Sequence, residues 1–165
     1  MQGNNRIKTI VGGASNVLTM QCTLISPVDG FHPVFTLDKI TEFLYKHLDE
    51  YGDSREDITQ CLKYALDPGT QGKGFIVVGH IDDKIVSAVV INETGMSGYI
   101  PENILVYVAV DGKYRGKGYG KTVMEYAIKL CKGDIALHVE KDNPARFLYE
   151  KLGFTNPYLE MRLKR

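Results

Sequence analysis

A surplus of charge is the first thing this 165-residue sequence lacks: 20 Lys and Arg stand against 20 Asp and Glu, for a net charge of +0 at pH 7. A polyanion binder shows a basic excess or stripe, so nucleic acid is not an expected partner. No stretch approaches the ~20 apolar residues of a membrane span, and the polar start Met1-Gln2-Gly3-Asn4-Asn5-Arg6 leads into no signal-peptide core. No membrane partner is expected, and the cytoplasm is the expected compartment. Cysteine is scarce: Cys22, Cys61 and Cys131 are far apart, form no C-x-x-C pair and have no metal-ligand spacing to a histidine. They read as reduced, mostly buried thiols, with no metal site expected. There is no low-complexity tract, linker or repeat, so residues 1–165 read as one domain, with 1–16 only partly ordered.

What is present is an ordinary globular composition, 44% hydrophobic and 24% charged. The β-formers of 17–25 predict a first strand. Ile40, Phe43, Leu44 and Leu48 recur at helical spacing over 38–48. A second helix starts at Ser54, with Asp57 three residues on as an approximate capping box, and Pro68-Gly69 ends it. Segments 75–78 and 85–91 are strands joined by the short turn Ile81-Asp82-Asp83-Lys84. The apolar run 104–110 is a further strand, followed by a helix over 118–131, a strand over 135–139, a helix over 144–152 and a last strand over 158–163. The order is β-α-α-β-β-β-α-β-α-β.

Between strand 104–110 and the helix that follows lies Arg115-Gly116-Lys117-Gly118-Tyr119-Gly120. Glycines at alternate positions let main-chain N–H groups approach a phosphate and adopt positive φ. The first turn of the helix adds unpaired donors and the positive end of its dipole. Arg115, Lys117 and Lys121 supply cations. The segment suits a pyrophosphate; its bland alternative is a glycine-rich turn with solvated lysines. A Walker A loop needs glycine where Arg115 stands, and a dinucleotide fingerprint needs G-x-G-x-x-G rather than the G-x-G-x-G found here.

Arg115-x-x-Gly118-x-Gly120 after an apolar strand resembles the R/Q-x-x-G-x-G/A signature of the GNAT acyl-CoA N-acyltransferases. Asn143-Pro144-Ala145-Arg146-Phe147-Leu148-Tyr149-Glu150-Lys151-Leu152-Gly153-Phe154 is similar to that superfamily's Asn…Ala…Leu-Tyr-Glu-Lys-Leu-Gly-Phe motif. The two motifs, in order, cover the last third of the chain, and the upstream β-α-α-β-β order extends the match. The resemblance implies an α/β (α+β) GNAT fold, a mixed and mostly antiparallel sheet of about seven strands with splayed central parallel strands, flanked by about four helices. It also implies acetyl-CoA, or another acyl-CoA, lying between strands 104–110 and 135–139. The acceptor would be a primary amine on a small molecule, protein or peptide, and a homodimer is compatible with the family.

By the same resemblance, Val108, Ala109 and Val110 line the pantetheine, and a main-chain N–H there polarises the thioester carbonyl, an oxyanion-hole role. Residues 115–121, Tyr119 among them, cradle the phosphates, and Asn143 contacts the cofactor. Asn143 followed by Pro144 also reads as a helix cap. Tyr149 holds the position of the family's usual proton donor, although Ala145, Leu148, Tyr149 and Leu152 also place it on a core face. A lysine-like amine has a pKa of ~10.4, so something must take its proton. Many relatives carry a glutamate six residues before the position of Val110, where this chain has Ile104; Glu102, two residues earlier, is the substitute candidate. His138 could face the cleft, whereas His32, His47 and His80 show no partner pattern. The connection 49–57 carries five carboxylates against one arginine and reads as an acidic rim, or as first-turn helix charges. Tyr99 and loop 95–101 are further candidate borders. The rival reading is a non-catalytic acyl-CoA sensor or interaction module.

Overall fold

Apolar residues at helical spacing in the first half of the chain produce two capped helices. In α1 (Leu37–His47) the Thr36 hydroxyl accepts the Lys39 N–H, and Ile40, Phe43 and Leu44 are buried. In α2 (Arg55–Ala65) Ser54 accepts the Asp57 N–H at 3.1 Å while its hydroxyl donates to the Asp57 carboxylate at 2.9 Å. This is a capping box with aspartate in place of glutamate. Ile58, Leu62 and Ala65 are buried. The computed structural model describes residues 7–8, 19–69 and 73–165. Most of 1–16 and the first two residues of the strand expected over 17–25 lie outside these.

The strands are β1 (Ile7–Lys8), β2 (Gln21–Ile25), β3 (Gly74–Ile81), β4 (Lys84–Glu93), β5 (Asn103–Val110) and β6 (Ile135–Leu137). They form one sheet in sequential order, antiparallel throughout except for the parallel pair β5–β6. The β3–β4 hairpin turns at Asp82-Asp83, as its sequence predicts, with Asp82 at φ 50. β3 is buried along its whole length and β4 from Val86 to Ile91, because helices cover both faces of the sheet. One core lies under α1 and α2, around Ile76, Val78, Val90 and Tyr107. The other lies under α3 (Tyr119–Leu130) and α4 (Ala145–Lys151), around Val77, Val89, Val123 and Tyr149.

Three expectations change. Six strands are described rather than about seven. β6 stops at Leu137, so His138 and Val139 lie beyond it. Residues 155–165, including the strand expected over 158–163, are exposed and unpaired, which leaves β6 at the edge of the sheet rather than inside it. The splay between the parallel strands is nevertheless present and has a local cause. Ile91 pairs with Leu105 and Val90 with Tyr107, so Val106 is an extra residue with no partner on β4. Such a bulge bends its strand and steepens the twist. The parallel pairing of β5 with β6 ends at Leu105↔Leu137, immediately before the bulge. From there the two strands diverge.

Candidate active site

The open side of β5 follows from the phase of its ladder. The Asp111 N–H donates to the Val86 carbonyl at 2.9 Å. Bonded pairs alternate along an antiparallel ladder, so Ala109 and Tyr107 exchange their bonds with Ala88 and Val90. The main-chain groups of Val108 and Val110 therefore point away from β4, into the gap left where β6 ends. Ala109 is committed twice, by that pairing and by a side chain buried beneath α1 and α2. It offers nothing to the open side, a correction to its place beside Val108 and Val110.

Beyond β5, the nearly buried Asp111 accepts the Lys113 N–H at 2.9 Å and starts a 3-10 turn at Gly112–Tyr114. Lys84 at 3.7 Å and His47 at 3.9 Å flank its carboxylate. The chain then passes through Gly116 at φ 76 and Gly118 at φ 82, conformations that side-chain-bearing residues rarely adopt. Gly118 is the N-cap of α3 and no side chain caps the helix. The first helical bond runs from the Thr122 N–H to the Gly118 carbonyl, so the amides of Gly120 and Lys121 precede the helix's own ladder. Gly120 sits against two neighbours: a Cβ there would meet Val110 Cγ2 at 3.2 Å and Leu148 Cδ2 at 3.4 Å. The start of α3, the end of β5 and α4 thus converge. A main-chain concavity at the positive end of an uncapped helix fits a diphosphate.

The cations divide unexpectedly. Arg115 turns away from the glycine loop: its guanidinium donates to the Val110 carbonyl at 3.2 Å, the His47 carbonyl at 2.8 Å and Asp49 at 3.1 Å. It fastens the end of α1 to the end of β5, and any contact it makes with a phosphate comes from its main chain. Lys121 pairs with Glu125 at 3.7 Å, one helical turn on. Lys117 lies 5.3 Å from the Tyr114 ring centroid and has no carboxylate partner among the described residues. Tyr119 is buried beside Tyr114, with ring centroids 6.0 Å apart, so its side chain is a packing group under the cradle.

Tyr149 is 7% exposed, edge-on to Phe154, and in the same core cluster as Val108, Val110 and Leu148. Burial pushes its pKa up to about 12. Its hydroxyl has no hydrogen-bond partner among the described residues, unusual for a buried tyrosine. Asn143 accepts the Ala145 N–H at 2.9 Å, the capping role its sequence context predicts. The Asp142 carbonyl accepts from the Tyr51 hydroxyl at 3.2 Å, tying the α1–α2 connection to the loop before α4.

Glu102 is corrected by its surroundings. It accepts the Asp134 N–H at 2.7 Å and packs over Gly133, where a Cβ would collide with the carboxyl group. That main-chain donor holds its pKa below the usual carboxylate range. It also precedes β5, six residues and so about 20 Å of strand from Val108. Glu102 clasps the α3–β6 turn and is no base for this site. Tyr99 and loop 95–101 open at the same far end of β5 and do not border the cradle.

The histidines are better satisfied than their sequence contexts indicate. His80 bonds Thr23 and the Asp82 carbonyl, His32 accepts the Val34 and Phe35 amides, and His47 accepts the Gly112 N–H. His138 is exposed beyond β6. A residue that sequence reasoning missed is Tyr107, whose buried hydroxyl donates to Asp53 at 2.6 Å. This anchors the α1–α2 connection to the central strand beside the bulge. A tyrosine within an apolar strand was the available signal, because a buried phenol needs a partner.

The GNAT acetyltransferase family profile matches residues 39–154. The chain belongs to the GNAT acetyltransferase family. Members of this family use acetyl-CoA as acetyl donor. Solved structures share the fold. A possible acetyltransferase from Clostridium difficile 630 is 24% identical, with a TM-score of 0.62 over 88% of this chain and 97% of that one. The ribosomal-protein-S18-alanine N-acetyltransferase of Escherichia coli is 17% identical, with a TM-score of 0.62 over 84% and 79%. An aminoglycoside N-acetyltransferase in complex with CoA is 12% identical, with a TM-score of 0.63 over 95% and 99%. Among the described residues, no group of His, Cys, Asp and Glu could hold a metal ion, and no helix is long and apolar enough to cross a membrane.

Proposed function

We propose that this GNAT protein is an N-acetyltransferase that moves an acetyl group from acetyl-CoA to a primary amine by direct attack, with Tyr149 as general acid. One observation carries the reading. A bulged strand with outward-facing main-chain groups, a three-glycine helix start and a buried, unpartnered tyrosine hydroxyl converge at one end of β5. The amides of Gly116 to Lys121 hold the pyrophosphate, with Lys117 as the mobile cation, and Val108 and Val110 hold the pantetheine through their main chain. When bound, acetyl-CoA supplies a thioester carbonyl to the attacking amine and departs as the thiol. The Val108 N–H steadies the carbonyl oxygen as it gains charge. Tyr149 gives its proton to the departing sulfur.

On the acceptor side, Asp49 is neutralised by Arg115, and Arg55 is drawn away to Glu42 at 2.6 Å. Glu50, Asp53 and Glu56 remain as an acidic rim favourable to a cationic amine. Asp53 is the rim carboxylate fixed to β5, through Tyr107, and we assign it to amine recognition. The test is thiol release from acetyl-CoA over a panel of amines, peptides and aminoglycosides. Asp53→Asn is expected to raise KM for a cationic acceptor about tenfold, roughly the 1.4 kcal/mol of one charge-assisted contact, with CoA affinity unchanged. Tight CoA binding without release above hydrolysis for any acceptor would replace this reading with a non-catalytic acyl-CoA sensor. The displacement of Glu102 from the site is the observation that favours that alternative.

The division among the cations yields a second expected outcome. Lys117→Ala should weaken CoA binding severalfold at low salt, with the difference shrinking as ionic strength screens the pair. Arg115→Ala should leave that salt dependence near wild type, because its guanidinium is engaged elsewhere. Titration calorimetry at two salt concentrations separates the two. Equal slopes for Lys117→Ala and wild type would make the lysine a bystander.

A further inference from the structure

The carboxyl-terminal segment carries a strand pattern with no sheet to join. Over 158–163, Leu159, Met161 and Leu163 alternate with Glu160 and Arg162, the period of a strand with one apolar face. In the folded chain that face meets only solvent: Leu159 is 88% exposed, Met161 92% and Leu163 82%. The complementary defect is at β6. It is the last strand in the sheet order, so its outer edge has no partner among the described residues. It also runs for three residues, although the alternation of Ile135, Leu137 and Val139 continues past its end. These three side chains are half-buried against the core under α3 and α4, at the spacing shown by Leu159, Met161 and Leu163.

The connection between the body and the segment opposes a return within the same chain. Phe154 is anchored: its N–H donates to the Tyr149 carbonyl at 3.0 Å and its ring lies edge-on to Tyr149. Only Thr155, Asn156 and Pro157 separate it from Tyr158. A residue preceding proline is held extended, so Asn156-Pro157 carries the chain outward rather than round a tight turn. A short hinge of this kind promotes exchange of an element between identical chains.

We propose that residues 158–163 add as a strand to the open edge of β6 in a second copy of this protein, and that the exchange is reciprocal, giving a two-fold dimer. Leu159, Met161 and Leu163 extend the apolar layer of Ile135, Leu137 and Val139, while the borrowed main chain satisfies the free edge and lengthens β6 toward Val139. β6 is one wall of the splay beside β5, so each copy steadies the cleft of the other. The proposal rests on the fold alone and holds whether or not the cleft is catalytic.

The test compares the full chain with a truncation removing residues 155–165 and with Met161→Asp, using light scattering after size exclusion over a dilution series and amide exchange at 135–139. The removed residues are all exposed, and a cooperative thermal melt verifies that each variant folds. The full chain is expected at twice its monomer mass. Both variants should be monomeric, with exchange at 135–139 accelerated about tenfold or more as the edge opens. A monomeric full chain at every concentration would overturn the proposal, as would a dimer that survives both changes. Protection at 135–139 that persists on dilution to monomer would mean the strand pairs within its own chain, and would overturn it equally.

Discussion

Tyr149→Phe is expected to lower kcat for acetyl transfer by about a hundredfold to ten-thousandfold, the usual contribution of a positioned general acid, while CoA affinity stays within a factor of about two. The substitution removes one oxygen and leaves the ring, so its packing against Phe154 and the cluster of Val108 and Val110 is retained. Because the hydroxyl has no protein partner, its removal leaves no orphaned group behind. Titration gives a second signature. With its pKa at about 12, the hydroxyl is protonated throughout the practical range, so loss of this proton creates no alkaline limb near neutrality. Burial of the neutral form stabilises the fold below pH 10, and that contribution is lost as pH rises from 10 toward 12. Tyr149→Phe should therefore blunt alkaline unfolding as well as slow turnover. Steady-state kinetics and melts against pH check both, and near-wild-type kcat would remove Tyr149 from the chemistry.

Val108→Pro is the sharper probe of the main chain. Proline deletes one N–H, and at this position that N–H faces away from β4, past the last β5–β6 pair at Leu105↔Leu137. The ladder to β4 keeps its bonds at Tyr107 and Ala109, and the preceding Tyr107 already has the extended conformation proline demands. Loss of one oxyanion donor typically costs about a hundredfold to a thousandfold in kcat. The expected result is a folded, CoA-binding protein with turnover reduced by that factor. A loss under about tenfold would mean that the carbonyl is polarised elsewhere.

Much of this architecture is legible in the sequence because it is local. Thr36 and Ser54 announce their helices by capping, the β3–β4 hairpin shows as two apolar runs about a short turn, and the glycines at 116, 118 and 120 mark a helix start. The illegible parts depend on partners distant along the chain. Val106 is one valine in an apolar run, and only pairing with β4 makes it the extra residue. Glu102 has the composition of a base until the Asp134 amide, 32 positions on, claims it. Arg115 belongs to a phosphate signature, yet its guanidinium is captured by the end of α1, 66 and 68 positions earlier. Residues 158–163 show a strand's alternation clearly; what no period can show is which chain supplies the neighbouring edge.

The bulge at Val106 makes chain length, rather than any side chain, a determinant of activity. One residue more on β5 than on β4 rotates everything after it, so Val106 and Tyr107 both turn toward the α1–α2 layer and the peptide groups of Val108 face the gap. Any amino acid at 106 that tolerates a strand preserves this phase. Removing the position altogether restores an unbroken ladder and swings those peptide groups half a turn, out of register with the cleft. Such a protein could keep every residue assigned to binding and proton transfer and still be silent, which makes the count of residues between Asn103 and Asp111 as diagnostic of function here as their identities.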